Sequence, residues 1–261
     1  MSSFQGKVIT ITGAASGIGY AIAHHLANLG ARLSISDLSA EGLAKTTAEL
    51  ESIIGKENVF CQPLNITDRP AVESWISSTI SHFGRLDGSV NAAGVHPKES
   101  GVEPTWNVSD DDWDFAQDVN VKGMLNLVRA QLKYMTGAVE RKEIETASVV
   151  VFGSNASVTG APSLSAYTTS KHAVLGLMRA AAIDAAPFGV RVNAVCPGPI
   201  NTPMLRNVVS EERMKMLSSA IPLGRMGTAK EVVGLVQYLL DENSGFTTGA
   251  VHNVDGGITT A

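Results

Sequence analysis

The chain has 261 residues, of which 44% are hydrophobic and 17% charged, the composition of a well-packed folded chain rather than a disordered or fibrous one. Twenty basic residues against twenty-five acidic ones leave a net charge of −5, so no overall basic field favours nucleic acid or an anionic membrane. Two cysteines, Cys61 and Cys196, argue against a disulfide framework. No Cys/His cluster has metal-ligand spacing, and no apolar run reaches the ~18 residues of a membrane span.

The opening Met1-Ser2-Ser3-Phe4-Gln5-Gly6-Lys7 lacks a basic region followed by a long apolar stretch, so no secretory signal is expected. The expectation is a soluble, cytoplasmic, metal-free protein. Twenty-five glycines call for many tight turns, or for backbone pressed against a ligand.

Strand and helix signals alternate along the chain. Lys7 to Thr12 is a short β-branched run and predicts a buried strand. Ile18, Ile22, Leu26 and Leu29 recur at helical spacing up to Gly30. Ala31 to Ser36 predicts a second strand, and Ser39 caps a helix running to about Ile54. Val59 to Leu64 is a third strand. Thr67, Asp68 and Pro70 start a helix to about Phe83, with Trp75 and Phe83 in its core. Leu86 to Asn91 is a fourth strand, and Ser109-Asp110-Asp111-Asp112 starts a long helix to about Met135. The polar stretch Gly137 to Thr146 is expected to be a surface loop. Ser148 to Phe152 is a strand, Ser165 to Ala186 a helix, Val190 to Val195 a strand, Thr228 to Leu240 a helix and Ala250 to Val254 a last strand. Pro197 to Ile221 is expected to hold short helices. His24 and His25 fall on a helix surface or its edge. Cys196 reads as a packed thiol, since no base is placed to activate it. Alternating units of this kind predict an α/β fold: a Rossmann-type, doubly wound parallel sheet of about seven strands with helices on both faces, in one domain spanning residues 1–261.

Thr12-Gly13-Ala14-Ala15-Ser16-Gly17-Ile18-Gly19 joins the first strand to the first helix. Glycines there let the backbone turn sharply and approach a pyrophosphate, which the helix start then receives. Asp37 ends the second strand, where an acid receives the adenosine ribose hydroxyls and repels a 2′-phosphate. Neither Ala15 nor Leu38 supplies a cation to hold one. NAD is therefore expected as cofactor, and NADP disfavoured. Asn91-Ala92-Ala93-Gly94 ends the fourth strand, where small residues let the chain pass a flat ligand. Pro197-Gly198-Pro199-Ile200-Asn201-Thr202 follows the sixth strand and walls the far side of the same crevice.

Tyr167 and Lys171 lie four residues apart on one helix face. A Tyr hydroxyl titrates near ~10 and is a poor base at neutral pH. A nearby ammonium and a cationic nicotinamide would lower that value and make it a usable acid/base.

In their order and at these strand ends, the glycine loop, Asp37, Asn91 to Gly94, Asn120, Ser154, Tyr167, Lys171 and Pro197-Gly198 resemble the short-chain dehydrogenase/reductase family over essentially the whole chain. Val90 to Gly94 and Asn201 to Leu205 are similar to short-chain dehydrogenases of fungal secondary metabolism. The resemblance implies that Tyr167 takes the proton of a substrate hydroxyl as hydride leaves the carbinol carbon. Lys171 would lower the tyrosine pKa and hold the nicotinamide ribose. Ser154 would hydrogen-bond the substrate oxygen, Asn120 would hold a water in a proton relay, and Thr202 would contact the carboxamide. Gly153-Ser154-Asn155-Ala156-Ser157 offers two serines, and the family's spacing to Tyr167 selects Ser154. Gly13, Ser16, Gly17, Ile18, Gly19, Asp37, Leu38, Asn65, Ile66, Asn91, Ala92, Gly94, Pro197, Gly198, Ile200 and Thr202 would then line the cofactor. Asn65 stands where the family usually has an Asp that receives the adenine amino group. Its side-chain oxygen is expected to accept that bond, and Asp68 is an alternative that better fits the next helix start.

The substrate side is expected at His96, Asn155, Met204 and Leu205, under a lid at about residues 199–221. The resulting expectation is an NAD-dependent alcohol dehydrogenase acting on a bulky apolar secondary alcohol, assembled as a homotetramer or homodimer. The alternatives are an NADH- or NADPH-dependent ketoreductase, a non-catalytic dinucleotide-binding regulator, and a non-redox use of the pocket.

Overall fold

The computed structural model describes residues 4–98 and 100–260, so Met1-Ser2-Ser3, on which the leader expectation partly rests, lie outside the described residues. Seven strands form one parallel sheet in the order β3-β2-β1-β4-β5-β6-β7. They are β1 (Val8–Thr12), β2 (Arg32–Asp37), β3 (Val59–Pro63), β4 (Gly88–Asn91), β5 (Ala147–Phe152), β6 (Val190–Pro197) and β7 (Val251–Val254). The strand order reverses between β1 and β4, so the connections leaving their paired carboxyl ends turn to opposite faces of the sheet and leave a crevice there.

β1, β4, β5 and β6, in the middle of the sheet, are buried along their whole length because both faces are covered. Within β5 the alternation is direct. Val149 and Val151 belong to one core cluster, Val150 and Phe152 to the other. The first cluster is completed by α3 (Arg69–Phe83), α5 (Met124–Glu140) and α6 (Ser165–Ala185). The second is completed by α1 (Gly17–Asn28), α2 (Ala40–Ile54) and α9 (Ala229–Leu240). Trp75 and Phe83 are buried in the first, as their spacing predicts. Cys196 is fully buried there too, as a packed thiol.

Local signals act where they were expected. The Ser39 hydroxyl accepts from the Gly42 amide at the start of α2, and the Asp68 carboxylate from the Ala71 amide at the start of α3, each satisfying a helix-end donor. His24 and His25 are half-buried at the edge of α1. His24 Nε2 lies 3.0 Å from Glu49 Oε2, and His25 Nε2 lies 2.7 Å from Gln237 Oε1.

Two expectations need correction. The helix predicted from Ser109 to Met135 runs on to Glu140, as α4 (Asp110–Ala116), a π-helical segment (Gln117–Gly123) and α5. The expected loop Gly137 to Thr146 therefore begins four residues later. Ala138 and Ile144 are buried against the first core, and that burial outweighs the ~1 kcal/mol that an interior glycine costs a helix. The segment after β6 holds two short helices, α7 (Pro203–Val208) and α8 (Glu211–Ala220). No helix among the described residues is long and apolar enough to cross a membrane.

Candidate active site

The glycine loop lies in the crevice between β1 and β4. Gly13 has φ +70°, and a Cβ there would stand 3.0 Å from the Ala92 carbonyl carbon. A Cβ on Gly19 would stand 2.2 Å from the Gly13 carbonyl oxygen, so the loop closes on itself only with glycine. Ser16 precedes α1 without lending its side chain to the first-turn amides, and those N–H groups are the natural receivers of an anion. Across the crevice, Thr202 lies 3.5 Å from where a Gly17 Cβ would be. The chain therefore presents a tight glycine turn, a helix start without a side-chain cap and a facing wall, which fits a dinucleotide. Asp37 holds this turn from the end of β2. Its carboxylate accepts from the Ala15 amide at 3.0 Å and from the Ser39 amide at 2.9 Å. Leu38 beside it is 75% exposed.

Four polar side chains converge behind the loop. Asn120, Ser154, Tyr167 and Lys171 are all buried. Asn120 sits in the π-helical segment, Ser154 just past β5, and Tyr167 and Lys171 on α6. Gly94 separates two of them. A Cβ there would stand 3.1 Å from Asn120 Oδ1 and 3.2 Å from Lys171 Nζ. Lys171 donates to the Phe152 carbonyl at 3.1 Å, and its ammonium lies 5.8 Å from the Tyr167 ring centroid.

Burial dominates the proton affinities. It pushes the Tyr167 phenol up to about 12, with the Ser154 hydroxyl pulling the other way. It pushes Lys171 down to about 8. Desolvation of the buried phenol is the largest influence on it within the chain, whereas the expected lowering was that of an ammonium together with a cationic nicotinamide.

Asn120 is tied to two neighbouring segments. Its amide donates to the Val95 carbonyl and the Ser170 hydroxyl, and its oxygen accepts from the Val95 amide. Both amide hydrogens are thus committed within the chain, so the side chain braces the segment after β4.

Several predicted residues act through packing or backbone. The Asn91 side chain is fully buried and exchanges two hydrogen bonds with Gln131, so it braces the fold and does not reach a ligand. Asn65 is exposed, and its oxygen already accepts from the Thr67 amide and hydroxyl. The expected bond to an adenine amino group would need that same oxygen. Ile18 and Ile200 pack into the second core, and Ile66 packs on Gly123. Pro197 is buried at the end of β6, and a Cβ on Gly198 would meet Asp255 at 2.8 Å.

On the expected substrate side, Asn155 is half-buried and accepts from the Ser154 hydroxyl at 3.1 Å. Met204 is exposed and Leu205 half-buried on α7. His96 stacks on Tyr167, ring centroids 3.7 Å apart. Ser157, the rival serine, accepts from the Ser154 amide at 3.0 Å in a reciprocal cap, so it orients Ser154.

Three contributors escape sequence reading. Ser170 donates to the Tyr167 carbonyl and receives Asn120. Its spacing of three from Tyr167 was its only signal. Thr12 accepts from the Ala93 amide. Gln131 lies forty residues from Asn91, and nothing local marks it.

A doubly wound sheet with a glycine turn at its switch point and a buried Ser-Tyr-Lys cluster beside it defines a dinucleotide-dependent oxidoreductase fold. The family model described as enoyl-(acyl carrier protein) reductase matches residues 13–259. A short-chain dehydrogenase/reductase of Botryotinia fuckeliana, aba4, is 39% identical over 97% of each chain. The crystal structure of a levodione reductase superposes with a TM-score of 0.91 at 30% identity, covering 99% of each chain. That of a 3-ketoacyl-(acyl-carrier-protein) reductase from Brucella melitensis, complexed with NADH, gives a TM-score of 0.89 at 26% identity over 98% of this chain and 99% of that one. The chain belongs to the short-chain dehydrogenase/reductase family, oxidoreductases that use a nicotinamide cofactor.

Proposed function

We propose that this protein interconverts a secondary alcohol and its ketone with NAD(H), Tyr167 carrying the proton. The observation that carries this reading is the burial of Ser154, Tyr167 and Lys171 together beside Gly94 and the glycine loop. When bound, the nicotinamide exchanges a hydride with the carbinol carbon. Ser154 donates a hydrogen bond to the substrate oxygen and stabilises the charge that develops on it. Tyr167 gives its proton to that oxygen in reduction and takes it back in oxidation. Lys171 holds the nicotinamide ribose and steadies the phenolate as the proton leaves. Asn120, through Val95, keeps the β4 segment in place beside Lys171. Thr202 faces the carboxamide. Asp37 receives the adenosine ribose and disfavours a 2′-phosphate. His96, Asn155, Met204 and Leu205 border the substrate.

Carbonyl reduction is a second reading of the physiological direction, since a protonated phenol can give its proton to the forming alkoxide. A relative from Leifsonia aquatica is named a levodione reductase, in keeping with that direction. We further propose one functional unit over residues 1–261, a lid at 199–221, a cytoplasmic location, and a homo-oligomer that covers exposed apolar side chains such as Phe115 and Leu125.

The test follows NADH absorbance across a panel of cyclic and bulky ketones and alcohols, for wild type and Tyr167→Phe. Turnover by the wild type and its loss by about 10²-fold or more in the variant are expected. Wild-type rates in the variant would overturn the assignment.

A further inference from the structure

His96 follows Gly94 by two residues and lays its imidazole flat on the Tyr167 phenol, the centroids 3.7 Å apart and the planes 19° from parallel. Its backbone is held from behind, because the preceding Val95 exchanges two hydrogen bonds with the buried Asn120 side chain. Nδ1 of His96 is buried and has no hydrogen-bond partner among the described residues. The contact that holds the ring is therefore its face, laid on the phenol.

The titratable groups facing Tyr167 are His96 from the segment after β4, Lys171 from the same helix, and Cys196 from β6. Burial first, then the Lys171 ammonium, push the imidazole down to about 4. At neutral pH it is therefore an uncharged plate, able to cover the phenol without setting a second cation beside Lys171.

We propose that His96 is a positioning residue for Tyr167. By stacking on one ring face it fixes the direction of the phenol hydroxyl and keeps water from that face. The kinetic consequence rests on the acid/base reading of Tyr167 above, whereas the effect on the phenol itself does not.

The experiment titrates Tyr167 in the protein without added substrate. Tyrosinate absorbance is followed up to about pH 11 and read as the difference between each protein and its Tyr167→Phe counterpart, with circular dichroism confirming the fold. Tyr167 of the wild type is expected to stay protonated over this range. His96→Ala, which opens the ring face to water, brings its titration into the range and lowers kcat about tenfold. His96→Phe, which restores a flat partner, restores the wild-type titration and raises kcat above that of His96→Ala. If the alanine variant loses its fold, His96→Leu replaces it, with the same expectation, since it fills the space without a flat face. An unmoved Tyr167 titration in His96→Ala, or a phenylalanine variant that titrates like the alanine one, overturns the proposal. Full activity in Tyr167→Phe would instead overturn the acid/base reading and leave the titration to decide the stack.

Discussion

Asn91 at the end of β4 and Gln131 in the middle of α5 exchange two amide hydrogen bonds, 2.9 and 2.8 Å long, with both side chains fully buried. The pair ties the strand that walls the crevice to the helix that carries the π-helical segment and Asn120. Removing one partner leaves the other amide buried and unsatisfied, so Asn91→Ala and Gln131→Ala should each destabilise the fold by about 2–3 kcal/mol. The double variant should cost clearly less than the sum. A double-mutant cycle from urea unfolding checks this, and simple additivity would show that the two amides do not act as a pair.

Lys171 is an ammonium whose burial lowers its pKa to about 8, against ~10.4 in the unfolded chain. The unfolded state thus binds more protons between these values, and stability should rise as pH climbs through that window. Lys171→Met removes the buried charge and this pH dependence with it. Near pH 7 the variant should gain up to about 3 kcal/mol, less about 1 kcal/mol for the lost bond to Phe152. Above about pH 10 the advantage should vanish. Unfolding curves at several pH values decide it, and a variant less stable than wild type at pH 7 would contradict the stated cost of burial.

Asp37→Asn keeps an oxygen for the Ala15 amide while removing the charge at the end of β2. NADPH affinity should rise by about tenfold or more, roughly 1.4 kcal/mol, and NADH affinity should fall. Fluorescence titration with both cofactors measures the ratio. An unchanged ratio would mean that another feature sets the preference.

The alternation of elements, the glycine turn and the Tyr167-Lys171 pair were legible because each rests on local spacing. The run of β-branched residues, the caps at Ser39 and Asp68 and the glycines at Gly13 and Gly19 answer to sterics within a few residues. The partners of Asn65 and Asn91 were hidden for a related reason. An amide oxygen serves whichever donor the fold brings near, here Thr67 for Asn65 and Gln131 for Asn91. The reach of the helix to Glu140 was hidden because polar residues at its end conceal the burial of Ala138.

By itself the sequence determined the doubly wound architecture, the place of the crevice and the residues gathered around it, since these follow from chain order and from periodicities of two and 3.6 residues. Only the tertiary structure decided the proton affinities and pairings. Burial raises Tyr167, His96 lies against it, Ser157 receives the Ser154 amide, and Asn120 bonds both Val95 and Ser170. Each depends on desolvation and on contacts between segments far apart in the chain, and neither quantity exists until the sheet has brought those segments together.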